Sequence, residues 1–218
     1  LFITGTDTDV GKTYVTALLV KTLRSAGYDV GYYKAAISGA RTVEESDAGF
    51  VNRFAQICEP EDMLLSYLYQ NAVSPHLAAR IEGNPVEKDV IMSAWERVTA
   101  AYPYVTMEGS GGIMCPIRHD EKAVYYLEDI IRWLRLPVLI VADAGLGTIN
   151  RVVTTCEYIR RRNISVKGII LNHWKGGVME EDNVEMIEEI IGMKVLARVK
   201  KGDTALDIDP ETIISLYE

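Results

Sequence analysis

Cysteine is scarce in this chain and never stands in a metal-binding spacing. Cys58, Cys115 and Cys156 are far apart, odd in number and without any C-x-x-C pair. That excludes a disulfide framework and a structural zinc, and it implies a reducing compartment, the cytoplasm. Long apolar runs are also missing. None reaches the roughly 20 residues of a bilayer-spanning helix, so a soluble protein with no membrane partner is expected. Leu1 already stands in a predicted strand, so no signal peptide is expected ahead of it. Basic residues are outnumbered, with 23 Lys and Arg against 31 Asp and Glu and a net charge of −8. That balance repels nucleic acid and argues against such a partner. The one basic cluster, Arg160-Arg161-Arg162, ends a predicted helix, where cations complement the helix dipole. Repeats, low-complexity tracts and linkers are absent, and 81–85 reads as a turn between two helices. The 218 residues are therefore expected to form a single domain, 1–218.

What is present is alternation. Residues 1–4, 29–33, 104–107, 138–142, 167–171 and 194–199 read as strands. Segments 14–26, 46–58, 87–101, 125–135, 149–162 and 180–191 carry apolar residues at three-to-four-residue spacing and read as helices. Parallel neighbours need a crossover, usually helical. The order predicts an α/β fold in three layers, a mainly parallel central sheet with helices on both faces. Ligands in such sheets bind at the carboxyl ends of the strands.

The first strand runs into Gly5-Thr6-Asp7-Thr8-Asp9-Val10-Gly11-Lys12-Thr13 and then a helix. Gly-Lys-Thr at a helix start is a phosphate-binding loop. Backbone N–H groups around Gly11 and the helix N-terminus face a polyphosphate, Lys12 adds a point charge, and Thr13 offers a hydroxyl to Mg²⁺. The usual spacing places a glycine at position 6, which is Thr6 here; Gly5 stands one residue earlier.

Other strand ends carry further candidates. Glu108 precedes Gly109-Ser110-Gly111-Gly112, a context of close backbone approach, and its carboxylate suits Mg²⁺. Asp47 reads equally as a second ligand or as a first-turn acid favoured by the helix dipole. Lys34, near Ser38 and Gly39, supplies a cation to phosphate charge. Both Lys12 and Glu108 read as strand-end ligands outside the core, so truncating either is expected to stop turnover and leave the fold intact. Asn172 suits a base edge or a turn. Ser74 is placed to cap a helix that starts at Pro75, which makes the neighbouring His76 structural or substrate-lining. His119 and His173 show no partner pattern, and Cys115 lacks a framework to activate it.

Six motifs in order resemble the ATP-dependent dethiobiotin synthetase family, a branch of the P-loop NTPases: Gly5 to Thr13; Tyr33-Lys34 with Ser38-Gly39; Ser46-Asp47-Ala48; Ser74-Pro75-His76; Glu108-Gly-Ser-Gly-Gly112 with Pro116; and Gly145-Leu-Gly-Thr-Ile-Asn150. The resemblance implies ureido-ring closure from 7,8-diaminopelargonate, CO₂ or bicarbonate, and ATP, with Mg²⁺. By position, Asp9, Val10, Gly11, Lys12, Thr13, Tyr14 and Asn172 would bind the nucleotide, with Asn172 at the base. Thr13, Asp47 and Glu108 would surround Mg²⁺, while Lys12, Lys34, Thr8 and Ser38 would act on the reacting groups. Ser38, Glu108, Gly111, Gly145, Leu146, Gly147 and Asn150 would contact the substrate, the 145–150 segment from the partner subunit of a homodimer. The chain departs from the family pattern at Asp9, at Ala35 in place of proline and at Ser110 in place of alanine. It also lacks a proline near Arg198-Val199-Lys200, which leaves base selectivity open.

Two rival functions share the phosphate loop. A cobyrinate-type amidotransferase synthase needs an ammonia source, and no glutaminase-like segment is expected after residue 218. A partition-type nucleotide switch places an extra lysine early in the loop, where Asp7 and Thr8 stand here.

Overall fold

The computed structural model describes residues 1–218. Seven strands form one sheet: β1 (Phe2–Gly5), β2 (Val30–Ser38), β3 (Leu65–Tyr69), β4 (Tyr104–Gly112), β7 (Val138–Asp143), β8 (Val166–Asn172) and β9 (Val195–Arg198). Between β4 and β7, β5 (Pro116–His119) and β6 (Val124–Tyr126) pair as a separate antiparallel ribbon. The helices are α1 (Lys12–Ser25), α2 (Asp47–Phe54), α3 (Glu61–Leu64), α4 (Pro75–Ile81), α5 (Lys88–Ala101), α6 (Leu127–Leu134), α7 (Thr148–Arg161), α8 (Val178–Ile191) and α9 (Pro210–Ser215).

Strand order in the sheet is β3-β2-β4-β1-β7-β8-β9, and all six pairings are parallel. β1 lies at the centre, between β4 and β7. Every residue of β1 is buried, as are the first five of β7. Consecutive burial means that both faces of the sheet are covered, as parallel sheets require. The expected three-layer α/β architecture is the one observed. The 62 buried apolar residues form one connected cluster. No helix is long and apolar enough to cross a membrane.

The differences from expectation have local causes. β2 and β4 run past their predicted ends at 33 and 107 to Ser38 and Gly112, and in β4 the glycines after Glu108 are strand residues that let other groups approach. A Cβ on Gly109 would lie 2.9 Å from the ring of Phe2. The helix predicted over 46–58 ends at Phe54, and Gln56 and Cys58 take positive φ values of 54° and 62° that no helix continues through. Residues 125 and 126, predicted as helix, belong to β6, and the Tyr126 N–H bonds the Asp129 carboxylate at 2.8 Å where α6 starts at Leu127. The short edge strand β3 lies in a segment with no predicted strand. Pro75 does open α4, but the Ser74 hydroxyl makes no capping bond. Arg162 reaches past the end of α7 to pair with Glu128 on α6.

Gly31 of β2 has no Cβ because the Tyr102 ring fills that place; a Cβ there would stand 2.4 Å from Tyr102 Cδ2. Gly31→Val is expected to destabilise the chain by about 1–3 kcal/mol through overpacking. The measurement is chemical denaturation, with a lower midpoint at unchanged slope; an unchanged midpoint would mean that Tyr102 swings aside freely.

Candidate functional site

The loop between β1 and α1 folds tightly back on itself. A Cβ at Gly5 would meet the Asp7 carbonyl oxygen at 2.7 Å and Val10 Cγ2 at 2.9 Å. That close return explains why the glycine stands at position 5: the chain needs it where the loop crosses over, and Thr6 lies beyond the crossing. Asp9 and Gly11 have φ values of 58° and 81°, the left-handed turn that aims successive N–H groups to one side. No side chain caps α1 and no acid lies in its first turn, so its terminal N–H groups are free for an anion. Asn172, the last residue of β8, locks the loop from behind. Its Nδ2 donates to the Val10 carbonyl at 3.0 Å and would lie 2.0 Å from a Cβ on Gly11. Its Oδ1 is buried without a partner.

Beside the loop, the register of β2 and β4 sets Lys34 opposite Glu108. Neither is a strand-end residue as expected: both lie inside strands, only 3% and 1% exposed. Lys34 Nζ lies 2.7 Å from Glu108 Oε1 and 2.5 Å from Asp47 Oδ2. The Thr13 hydroxyl donates to the same Glu108 oxygen at 2.8 Å, and the Tyr32 hydroxyl to Oε2 at 3.2 Å. Asp47 is the first residue of α2, where Ser46 accepts the Gly49 N–H to cap the helix. Burial opposes the charge on Lys34, but Glu108 and Asp47 outweigh it and hold its pKa above the usual lysine value. Burial likewise opposes ionisation of Asp47, and Lys34 overrides it so that the carboxyl titrates below its usual range. Lys12, 8% exposed, bonds the Asp7 carbonyl at 3.2 Å. Its pKa is lowered by burial and then by Lys34. Truncating Glu108 to alanine would strip a buried ammonium of one of its two partners, and such losses cost about 3–5 kcal/mol. The expectation that this change leaves the fold untouched is therefore corrected.

Lys12, Thr13, Lys34, Asp47 and Glu108 line one cavity of about 320 Å³, together with Thr8, Asp9, Gly11, Ser38, Ser110 and Gly111. Ser110 donates to the Ala36 carbonyl at 2.6 Å and ties β4 to the end of β2. The Thr13 hydroxyl and the Asp47 and Glu108 carboxylates make an all-oxygen donor set, which suits Mg²⁺ when phosphate and water complete it. No cluster of three His, Cys, Asp or Glu side chains exists to hold a metal unaided. Cys115 stands 3.5 Å from where a Gly111 Cβ would be, and burial raises its thiol pKa, which leaves it inert.

Gly145, Leu146, Gly147 and Asn150 do not line this cavity. Gly145, Leu146 and Gly147 form the turn from β7 into α7, with Leu146 86% exposed and Gly147 at φ 86°, and Asn150 stands in the first turn of α7. Tyr14 faces the loop after β9, its hydroxyl donating to the Asp203 carbonyl. His76 and His119 line a separate cavity of about 160 Å³. Burial lowers the pKa of His76. One pairing has no counterpart in the sequence reading: His173 Nδ1 lies 2.7 Å from Asp143 Oδ2. The two residues are 30 apart in sequence, and β7–β8 pairing brings them together by setting Asp143 opposite Asn172. The available signal was that each ends or follows a neighbouring parallel strand.

A family model described as an AAA domain matches residues 1–205. Among solved structures, a ParA family ATPase from Chlorobium tepidum TLS superposes with a TM-score of 0.57 at 13% identity, covering 99% of this chain and 89% of that one. The MinC:MinD cell division protein complex of Aquifex aeolicus gives 0.56 at 15%, over 92% and 80%. At such identity these two share the fold alone. Curated relatives are far nearer. The ATP-dependent dethiobiotin synthetase of Brachyspira hyodysenteriae is 48% identical over 100% of this chain and 98% of its own length. That of Clostridium kluyveri is 42% identical over 98% and 90%. With end-to-end likeness of this degree, and a phosphate loop whose early Gly5 is explained by its own geometry, the chain belongs to the ATP-dependent dethiobiotin synthetase family.

Proposed function

We infer that this chain is an ATP-dependent cyclo-ligase that closes the ureido ring of dethiobiotin from 7,8-diaminopelargonate and CO₂, with release of ADP and phosphate. The observation that carries the reading is the Lys34–Glu108–Asp47 ion cluster beside an open helix N-terminus in one cavity. One substrate amine takes up CO₂ as a carbamate. A carbamate oxygen attacks the terminal phosphorus of ATP, the bond to ADP breaks, and a carbamic-phosphoric anhydride results. The second amine then attacks the carbonyl carbon and phosphate leaves, closing the ring. No protein nucleophile enters this sequence. Lys34, held as an ammonium by two carboxylates, has no free pair to attack with.

The chain contributes position and charge. The N–H groups of residues 11–14 cradle the phosphates, and Lys12 and Lys34 offset the charge that develops on phosphate and carbamate. Thr8, Ser38 and Gly111 hold the reacting groups. Thr13, Asp47 and Glu108 would hold Mg²⁺, whose charge when bound offsets that of the phosphates. Asn172 lies at the base end, its buried Oδ1 an unused acceptor. The exposed turn 145–150 carries an uncapped helix N-terminus, which suits the substrate carboxylate. By the family resemblance it serves the site of a partner subunit in a homodimer, a role compatible with its place outside the cavity. Three unpaired cysteines and the use of ATP support a cytoplasmic enzyme, with residues 1–218 acting as one unit.

Incubation with ATP, Mg²⁺, bicarbonate and 7,8-diaminopelargonate is expected to yield dethiobiotin by mass spectrometry; ADP release without that product would instead favour a nucleotide switch. Glu108→Gln keeps a polar partner for Lys34 and is expected to fold while kcat falls at least about a hundredfold; near-normal cyclisation by this variant would overturn the site. Asn150→Asp sets a carboxylate against the substrate carboxylate, and Lys34→Met disables the cavity in cis. Each alone is expected to be inactive. Mixed after dissociation in equal amounts, they should recover about a quarter of wild-type activity, since half of the dimers hold one intact site of two. No recovery would place the 145–150 turn in the site of its own subunit.

A further inference from the structure

The Asp143–His173 pair lies outside the phosphate cavity and has no part in the reaction as described. His173 follows β8 directly and holds a φ of 58°, an uncommon conformation for a residue other than glycine. Its Nδ1 is 2.7 Å from Asp143 Oδ2, while Asp143 Oδ1 accepts the Gly145 N–H at 2.7 Å. The Asp143 carboxyl is ionised at neutral pH: burial opposes this, but His173 and the Gly145 N–H lower its pKa below the usual value. A carboxylate only accepts, so Nδ1 carries a proton, and in the tautomer with that single proton Nε2 is left as a bare acceptor. Nε2 has no protein partner. It lies 3.5 Å from where a Gly11 Cβ would be, next to the Asn172 side chain, in a ring whose side chain is 46% exposed.

Strand order says which part of a nucleotide comes here. Lys34 and Glu108 lie on β2 and β4, to one side of β1, and the reacting phosphate belongs with them. Asn172 ends β8 and His173 follows it, on the opposite side of β1. A nucleotide with its phosphates on the α1 N-terminus and its terminal phosphate toward Lys34 therefore extends its nucleoside toward His173. We propose that His173, with its tautomer set by Asp143, is a specificity-determining residue that accepts a hydrogen bond from the exocyclic amino group of the base and so selects a 6-aminopurine. His173 touches the base, and Asp143 is a positioning residue acting through it. The assignment rests on the nucleotide reading above and extends it to the base edge.

The test compares ATP with ITP, which carries a carbonyl oxygen in place of the amino group. His173→Asn tolerates the left-handed backbone but is too short to reach the base. Its ratio of kcat/KM for ATP over ITP is expected to fall about tenfold, carried by the KM for ATP. A ratio equal to the wild-type one, whether both substrates suffer or neither does, would overturn the proposal. Asp143→Asn gives a signature that a purely structural role would not. Its amide oxygen takes the Gly145 N–H, so its NH₂ faces Nδ1 and moves the imidazole proton to Nε2, where it meets the ITP oxygen. That variant is expected to shift preference toward ITP; an undiminished preference for ATP would count against the assigned tautomer. If the wild-type chain forms no dethiobiotin, the underlying reading fails, while the ratio of ATP to ITP dissociation constants by calorimetry still decides the contact.

Discussion

A single buried ammonium organises the candidate site. Lys34 is almost without solvent, and a charge in that position persists only if paired. Its two partners come from different parts of the chain, Glu108 from the adjacent strand and Asp47 from the start of α2. The β2–β4 register and the placement of α2 bring both partners to this one group, and the Thr13 hydroxyl joins them by donating to Glu108. A slip of one residue would turn Glu108 to the other face of the sheet. The arrangement that keeps Lys34 charged also holds the Asp47 carboxyl below its usual range next to a phosphate loop, so structural necessity and chemical use coincide.

That coincidence explains which features are legible in the sequence. Gly5 through Thr13 can be read directly because strand, loop and helix start are contiguous and the chemistry is local. Lys34, Asp47 and Glu108 can be picked out by residue type and by the motifs around them. Their burial cannot, since it depends on strand register. Gly109 to Gly112 look like a turn because glycine usually marks one, whereas here the small residues make room for the Phe2 ring and for the cavity wall. The alternation of strands and helices is strong enough to give the fold class, while β3 and the β5–β6 ribbon are too short for their periodicity to stand out. Asp143 and His173 carry no local pattern at all; only the pairing of β7 with β8 makes them neighbours.

Two of the departures from the family pattern, Ala35 and Ser110, lie where β2 meets β4. Ala35 stands beside Ala36, whose carbonyl accepts the Ser110 hydroxyl. An alanine at 110 has no such donor, and a proline at 35 would restrict the backbone without one. The two changes thus act on the same crossing of strands, one loosening the chain and the other fastening it.

The interlock between Gly11 and Asn172 bears on how the phosphate loop meets its ligand. A side-chain amide occupies the space that any Cβ at residue 11 would need, and the same amide grips the carbonyl of the residue before it. The loop is therefore preorganised: β8 has set its conformation before a phosphate arrives. Little configurational entropy is lost on binding there.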